Sequence, residues 1–437
     1  MPRRLVIGLA LGVAGSTAIT AGAQARSLRP DRAFGNGRGF VLTRMRGARA
    51  FVNGAAVLPG GSIVVAGQLA PFHGGPTGDL QVFVARYLPD GRLDRRFASG
   101  GIFRTRLPNR DGPFNATAVA RDRSGRLVVA GGYGQGSMLA LRLTAAGRLD
   151  RTFGRRRSGI ATVAVGGIAN SLALLPRGGI LLGGSNANVM GRPMVVVRLS
   201  PAGRVDRSFG RRGIAQLLFW NPRSASSSGV VGLAATHDGG VIGGGHIDYI
   251  GGTAPGQSGY GEAGVFRLTS NGRLAHRFGR GGHVMVGFRN PNGTFGAWFP
   301  CAMTVAGTGR VTITGDGSLG SGNQILTARF TAGGRLDRTF GGRGTGRSVI
   351  PGLFDSSNPV CGASLGTAGD LTVGVNRTLA RLRPNGRRDL SFAHGGLFRI
   401  ANPRGASIEP VVRSAPGRIV VAGNAGSAAW VARYVLR

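Results

Sequence analysis

Gly147-Arg148-Leu149-Asp150-Arg151-Thr152-Phe153-Gly154 decides the fold of this 437-residue chain. Near-copies recur as Leu93-Asp94-Arg95-Arg96-Phe97, Val205-Asp206-Arg207-Ser208-Phe209-Gly210, Leu274-Ala275-His276-Arg277-Phe278-Gly279, Leu336-Asp337-Arg338-Thr339-Phe340-Gly341 and Arg388-Asp389-Leu390-Ser391-Phe392. One more copy stands near the N-terminus, Pro30-Asp31-Arg32-Ala33-Phe34-Gly35. The phenylalanines fall at 34, 97, 153, 209, 278, 340 and 392, in steps of 63, 56, 56, 69, 62 and 52. A period of this size marks one supersecondary unit repeated along the chain.

The unit from Asn115 to Val165 shows what repeats. Short apolar runs at 116–120, 127–130, 138–143 and 159–165 are separated by Arg121-Asp122-Arg123-Ser124-Gly125, by Gly131-Gly132 and by the motif itself. Runs of about five residues bounded by Gly, Asp and Ser predict four antiparallel strands per unit. No stretch carries a sustained helical period with caps. A four-stranded sheet cannot bury both faces alone, whereas sheets stacked radially bury them against each other. The expected fold is therefore all-β, a seven-bladed β-propeller of four-stranded antiparallel blades. The two ends support the ring. The C-terminus supplies three strands without a fourth, and the N-terminus supplies a motif and a fourth strand at 39–42 without the first three. Together they predict a seventh blade that leaves no open sheet edge.

The motif resembles that of the delta-60 repeat family, Gly-x-Leu-Asp-x-Ser-Phe-Gly followed by a Gly and a strand. The best match is Gly203-Arg204-Val205-Asp206-Arg207-Ser208-Phe209-Gly210, and its relatives span essentially the whole mature chain. The resemblance implies a propeller-like, extracytoplasmic bacterial protein and carries no catalytic residue with it. Ala275-His276 in place of Asp-Arg and Leu390 in place of Arg depart from the pattern.

Arg3 and Arg4, the uncharged run 5–21 and Ala23-Gln24-Ala25 read as a secretory signal, residues 1–25, ahead of one domain over 26–437. Secretion follows as an expectation, with no membrane span after cleavage. The formal charge is +38, and since the chain has no lysine, all 55 basic residues are arginine. Such a surface attracts anionic polysaccharide, acidic lipid or nucleic acid. A GC-rich coding bias produces the same excess. The arginines form no dense tract, and Gly279-Arg280-Gly281-Gly282 occupies the repeat slot of Ala98-Ser99-Gly100-Gly101. These features argue against a nucleic-acid motif.

Few residues point to chemistry. The repeated acids Asp31, Asp94, Asp150, Asp206, Asp337 and Asp389 are expected to cap turn amides or pair with the arginine that follows, and the repeated phenylalanines to plug the core between blades. No histidine pair or Asp-rich loop has metal-ligand spacing, and no cofactor is indicated. His246, Asp248 and Tyr249 form the most polar local group, in a long insertion of the fourth blade. Trp220, Trp298 and Phe299, with Phe295, occupy links into the fourth and fifth blades, where a rigid scaffold carries binding loops. Cys301 and Cys361 stand just before the first strands of successive blades, a slot close enough for a disulfide. The function expected is a secreted, monomeric, non-enzymatic module binding an anionic cell-surface polymer or a protein. The competing expectation is an extracytoplasmic hydrolase or lyase acting at the channel mouth.

Overall fold

Turn chemistry lays out the strands. Each turn between the third and fourth strands ends in a glycine held at positive φ, such as Gly147 at +80°, a conformation open to glycine at no steric cost. A Cβ there would stand 2.8 Å from the ring of Phe97, in the preceding blade. The same glycine thus makes the turn and admits the neighbouring blade's core plug.

The computed structural model describes residues 27–72, 80–105, 114–134, 136–219, 225–249, 260–320, 322–352, 361–375, 377–400, 413–415 and 417–436. They form seven antiparallel sheets and, apart from three short 3-10 turns, no helix. The first strands of the blades are Ala48–Val57, Phe114–Arg121, Ala169–Leu174, Ala225–Ala235, Ala297–Val305, Cys361–Leu365 and Arg413–Ala415. Each packs against the next and the seventh packs against the first, so the ring is closed around these innermost strands. The chain is a seven-bladed β-propeller.

Closure uses both ends. In the seventh blade Arg413–Ala415, Arg418–Ala425 and Ala428–Leu436 are met by Phe40–Arg44, paired antiparallel with Phe40 opposite Ala432. The N-terminal contribution is larger than the sequence suggests. Leu28–Pro30 also pairs with the last strand, Leu28 opposite Leu436. The motif interrupts this outer strand, and in other blades the place of Leu28–Pro30 is taken by an isolated bridge, for example Leu143 with Leu149.

The motif is a latch between blades. In the second blade Asp150 accepts bonds from the Thr152 amide at 2.9 Å and the Thr152 hydroxyl at 2.7 Å. Its other oxygen accepts from Arg142 Nε at 2.8 Å. Arg142 lies over the Phe153 ring, 4.5 Å from its centroid, and donates to the Pro201 carbonyl of the third blade. Gly154 N–H also donates to Ala202 in that blade, at 2.9 Å. The expected pairing with the following arginine is therefore corrected: the partner is the arginine eight residues earlier, on the third strand. Arg86–Asp94, Arg198–Asp206, Arg329–Asp337 and Arg381–Asp389 repeat the pairing. The following arginine lies past the turn and faces solvent. The phenylalanines plug the seams as expected, and Phe34, Phe97, Phe153, Phe209 and Phe392 are fully buried. In the fourth blade Ala275 offers no carboxylate, and Arg267 turns instead to Asp238, at 2.9 Å.

Candidate functional site

Antiparallel blades put their first-to-second and third-to-fourth turns on one face of the ring. The second-to-third loops and the links between blades lie on the other. These two faces differ in chemistry.

The motif face carries arginine. One or two guanidiniums are held by each latch carboxylate, but most of the motif arginines themselves are exposed. They are Arg32, Arg95, Arg151, Arg207, Arg277 and Arg338 after the acid position, and Arg92, Arg148, Arg204, Arg273, Arg335 and Arg387 before it. Among the described residues only Arg92 of this set makes an ion pair, with Asp90 at 2.7 Å. The latch carboxylates are not available to neutralise them. Burial pushes the Asp150 carboxyl up, but the Thr152 bonds and the Arg142 charge outweigh it and hold it below the usual carboxylate range.

The opposite face holds the polar group singled out in the fourth blade. His246, Asp248 and Tyr249 do not lie in a loop. They end the second strand, Val241–Tyr249, which runs further than the glycine-rich sequence suggests. Ser227, on the adjacent first strand, joins them and was not foreseen. Its hydroxyl donates to Asp248 Oδ2 at 2.8 Å and lies 3.4 Å from His246 Nε2. Burial lowers the His246 pKa and Asp248 only partly opposes this, so the imidazole is neutral at pH 7. A seryl nucleophile needs its proton directed at the base and the base oriented by a third group. Here the hydroxyl points at the carboxylate, which makes a hydrogen-bonding cluster. Asn170 of the third blade reaches the same place. Its Nδ2 and the His246 ring both stand within 3.4 Å of where a Cβ on Gly229 would be. Tyr249 faces away from this cluster, donates to Glu262 at 3.1 Å and stacks on Tyr260 at 4.6 Å, which stacks on Phe295 at 5.2 Å.

The aromatic expectations divide. Trp298 and Phe299 belong to the first strand of the fifth blade, Ala297–Val305, and not to its link. Trp298 is fully buried, edge-on to Phe288 at 4.8 Å, so it is core and not a binding surface. Phe299, on the other side of the strand, is 40 % exposed. Trp220 lies outside the described residues, as does the expected signal at 1–25.

Asp316, opposite Phe299 on the second strand, is 7 % exposed, and its Oδ1 has no hydrogen-bond partner. Burial raises its pKa from the usual 3.8 to about 6. The folded state then binds the proton more tightly than the unfolded chain. Its stability contribution is present below about pH 4 and is lost as pH rises through about 6, up to about 3 kcal/mol. Urea unfolding of Asp316→Asn should match the wild type near pH 4 and exceed it in stability at pH 7.5. A difference independent of pH would contradict this.

Five of the seven innermost strands carry a bulge, and in two of them the bulged side chain bonds to the next blade. Asn53 Nδ2 donates to the Ala116 carbonyl at 2.8 Å, and Thr117 donates to Ala169 at 2.5 Å. Cys301 occupies the bulge of the fifth blade, between Pro300 and Ala302. Cys361 opens the neighbouring first strand, though its side chain lies outside the described residues. No cysteine among the described residues is free. We propose that Cys301 and Cys361 form the covalent member of this series. Alkylation without reductant should leave the protein's mass unchanged, and modification of two thiols would sink the assignment.

Among the described residues no group of three His, Cys, Asp or Glu can hold a metal ion, and no helix is long and apolar enough to cross a membrane. No family model matches the chain, and no curated protein matches it. Solved structures do. Virginiamycin B lyase from Staphylococcus aureus, a catalytically inactive variant with quinupristin, aligns with a TM-score of 0.50 at 12 % identity over 91 % of this chain and 99 % of that one. A GH93 α-L-arabinofuranosidase of Fusarium graminearum with arabinobiose aligns at 0.45 and 10 % identity, over 90 % of this chain and 97 % of that one. Drosophila Plexin A in complex with Semaphorin 1b aligns at 0.42 and 9 % identity, over 94 % and 86 %. At such low identity the likeness speaks to fold alone.

Proposed function

We propose that this chain is an extracytoplasmic, non-enzymatic propeller module of the delta-60 repeat type, which holds anionic polymers on its arginine-bearing face. One observation carries the reading. The latch carboxylates are taken up by arginines of the second and third strands, and the motif arginines on either side of the acid stand exposed on one face, with Arg92 alone of them in an ion pair among the described residues. Arginines needed only for folding would be expected in the latch and not repeated beyond it. Residues 1–25 support export, and a formal charge of +38 favours a polyanionic partner over a neutral one.

The test is binding of the mature chain to immobilised polygalacturonate, with neutral dextran as control. Affinity should fall steeply as salt rises from about 50 mM to about 500 mM, because exposed charges are screened beyond a few ångströms at high salt. Equal binding to neutral dextran, or retention that ignores salt, would contradict the reading. The runner-up, a hydrolase or lyase working at the mouth, draws on Ser227, His246 and Asp248. It requires the hydroxyl proton to turn toward His246, and its signature would be turnover abolished by His246→Ala.

A further inference from the structure

We infer that the groove across the ring-closing seam is the principal docking site for a segment of anionic polysaccharide. This rests on the polyanion reading and gives it a place. The groove runs between the N-terminal outer strand of the seventh blade and the third-to-fourth turn of the first, and encloses about 1260 Å³. The equivalent groove between the fifth and sixth blades encloses about 560 Å³.

Charge separates the two grooves further. Arg38, Arg44, Arg92, Arg95 and Arg96 line the ring-closing groove, and all five are exposed. Asp94, the one carboxylate in its wall, is engaged by Arg86 at 2.8 Å. Of the five arginines only Arg92 is in an ion pair among the described residues. In the smaller groove Arg347 donates to the Gly287 carbonyl at 3.2 Å, and Arg289 donates to Gly293 and lies over Phe295, which leaves exposed Arg387 and half-buried Arg388 without a partner among the described residues. Guanidinium forks free to take carboxylate or sulfate in pairs are thus more numerous at the seam where the chain ends meet.

The groove is also preorganised. Tyr87 of the first blade donates to Thr43 Oγ1 of the closing strand at 2.7 Å, in a buried bond that ties the two walls together. A rigid site loses less entropy on binding. Leu42, 44 % exposed, and half-buried Val41 give an apolar strip for the C–H faces of sugar rings. The aromatic rings in the lining, Phe40 and Tyr87, are half-buried and buried. Single-stranded nucleic acid gains much of its affinity from bases stacked on exposed aromatics, which this groove does not offer.

The experiment compares three mature proteins. One is wild type. The second carries Arg38→Gln, Arg44→Gln and Arg95→Gln, side chains that make no bond among the described residues. The third loses equal charge elsewhere on the same face through Arg204→Gln, Arg207→Gln and Arg338→Gln. Each is titrated calorimetrically with a galacturonate hexamer and, separately, with a single-stranded oligonucleotide of equal charge, and its thermal midpoint is read with and without ligand. The groove variant should bind the hexamer on the order of tenfold more weakly or worse, and the control variant within about twofold of wild type. The hexamer should raise the midpoint of wild type and control, because it bridges the closing strand to the first blade, and leave that of the groove variant unmoved. Equal losses in both variants would overturn the groove and leave the polyanion reading standing. No binding of either the hexamer or long polygalacturonate by wild type would overturn both. Tighter binding of the oligonucleotide would overturn the polysaccharide assignment.

Discussion

Asp31→Ala is expected to destabilise the protein by about 3–5 kcal/mol, the range for removing one partner of a buried ion pair. Asp31 and Arg433 are each 6 % exposed, and Arg433 Nε donates to the Asp31 carboxylate at 2.7 Å. Arg433 also covers Phe34 at 4.8 Å and reaches the Pro89 carbonyl of the first blade. In the other latches the pair is separated by eight residues, but here the partners are 402 apart. The substitution therefore strands a buried guanidinium and also removes a bond that joins the chain ends. Asp94→Ala is the comparison, because its partner Arg86 keeps 18 % of its side chain exposed. It should cost about 1 kcal/mol, nearer the value of an exposed pair. Urea unfolding of the two variants gives the contrast, and equal losses would contradict it.

Phe153→Ala should cost about 3–5 kcal/mol, the usual range for emptying a buried aromatic site. The ring is fully buried, lies beneath Arg142 and fills the seam to the third blade. The latch backbone around it is held by bonds from two blades, which limits collapse into the cavity. Gly203→Ala probes the same contact from the other side. Gly203 has φ of +76°, and a Cβ there would stand 2.6 Å from the Phe153 ring. Left-handed strain and overpacking together should cost on the order of 2–4 kcal/mol. A loss below about 1 kcal/mol for either variant would mean that the seam relaxes and that the phenylalanine is not a plug.

The ring was legible because its signals are local and repeated. Glycine-bounded runs mark strand ends, and a motif at the N-terminus with three strands at the C-terminus requires a shared blade. The latch partner was less visible, although Arg142 precedes Asp150 by the same interval as Arg329 precedes Asp337. The interval crosses a turn, and nothing in strand periodicity says that the two side chains meet. Contacts between blades were hidden for a different reason. Arg142 and Pro201 are 59 residues apart, a separation with no sequence period of its own. Trp298 and Phe299 show the limit most clearly. Alternation along one strand sends the first into the core and the second to solvent, and the reading as a link hid that alternation. Ser227 escaped notice because its partners, His246 and Asp248, lie across a hairpin whose strands extend beyond the apolar run.

The central claim is that this propeller binds through its motif face and not through its opposite mouth. Hydrogen exchange of residues 26–437 with and without polygalacturonate tests it most directly. The account predicts slowed exchange in the third-to-fourth turns, at 89–96, 145–152, 201–208 and 331–339, and along the closing strand at 36–44, with 227–249 unchanged. Protection confined to 227–249, with the turns exchanging as in the free protein, would contradict it.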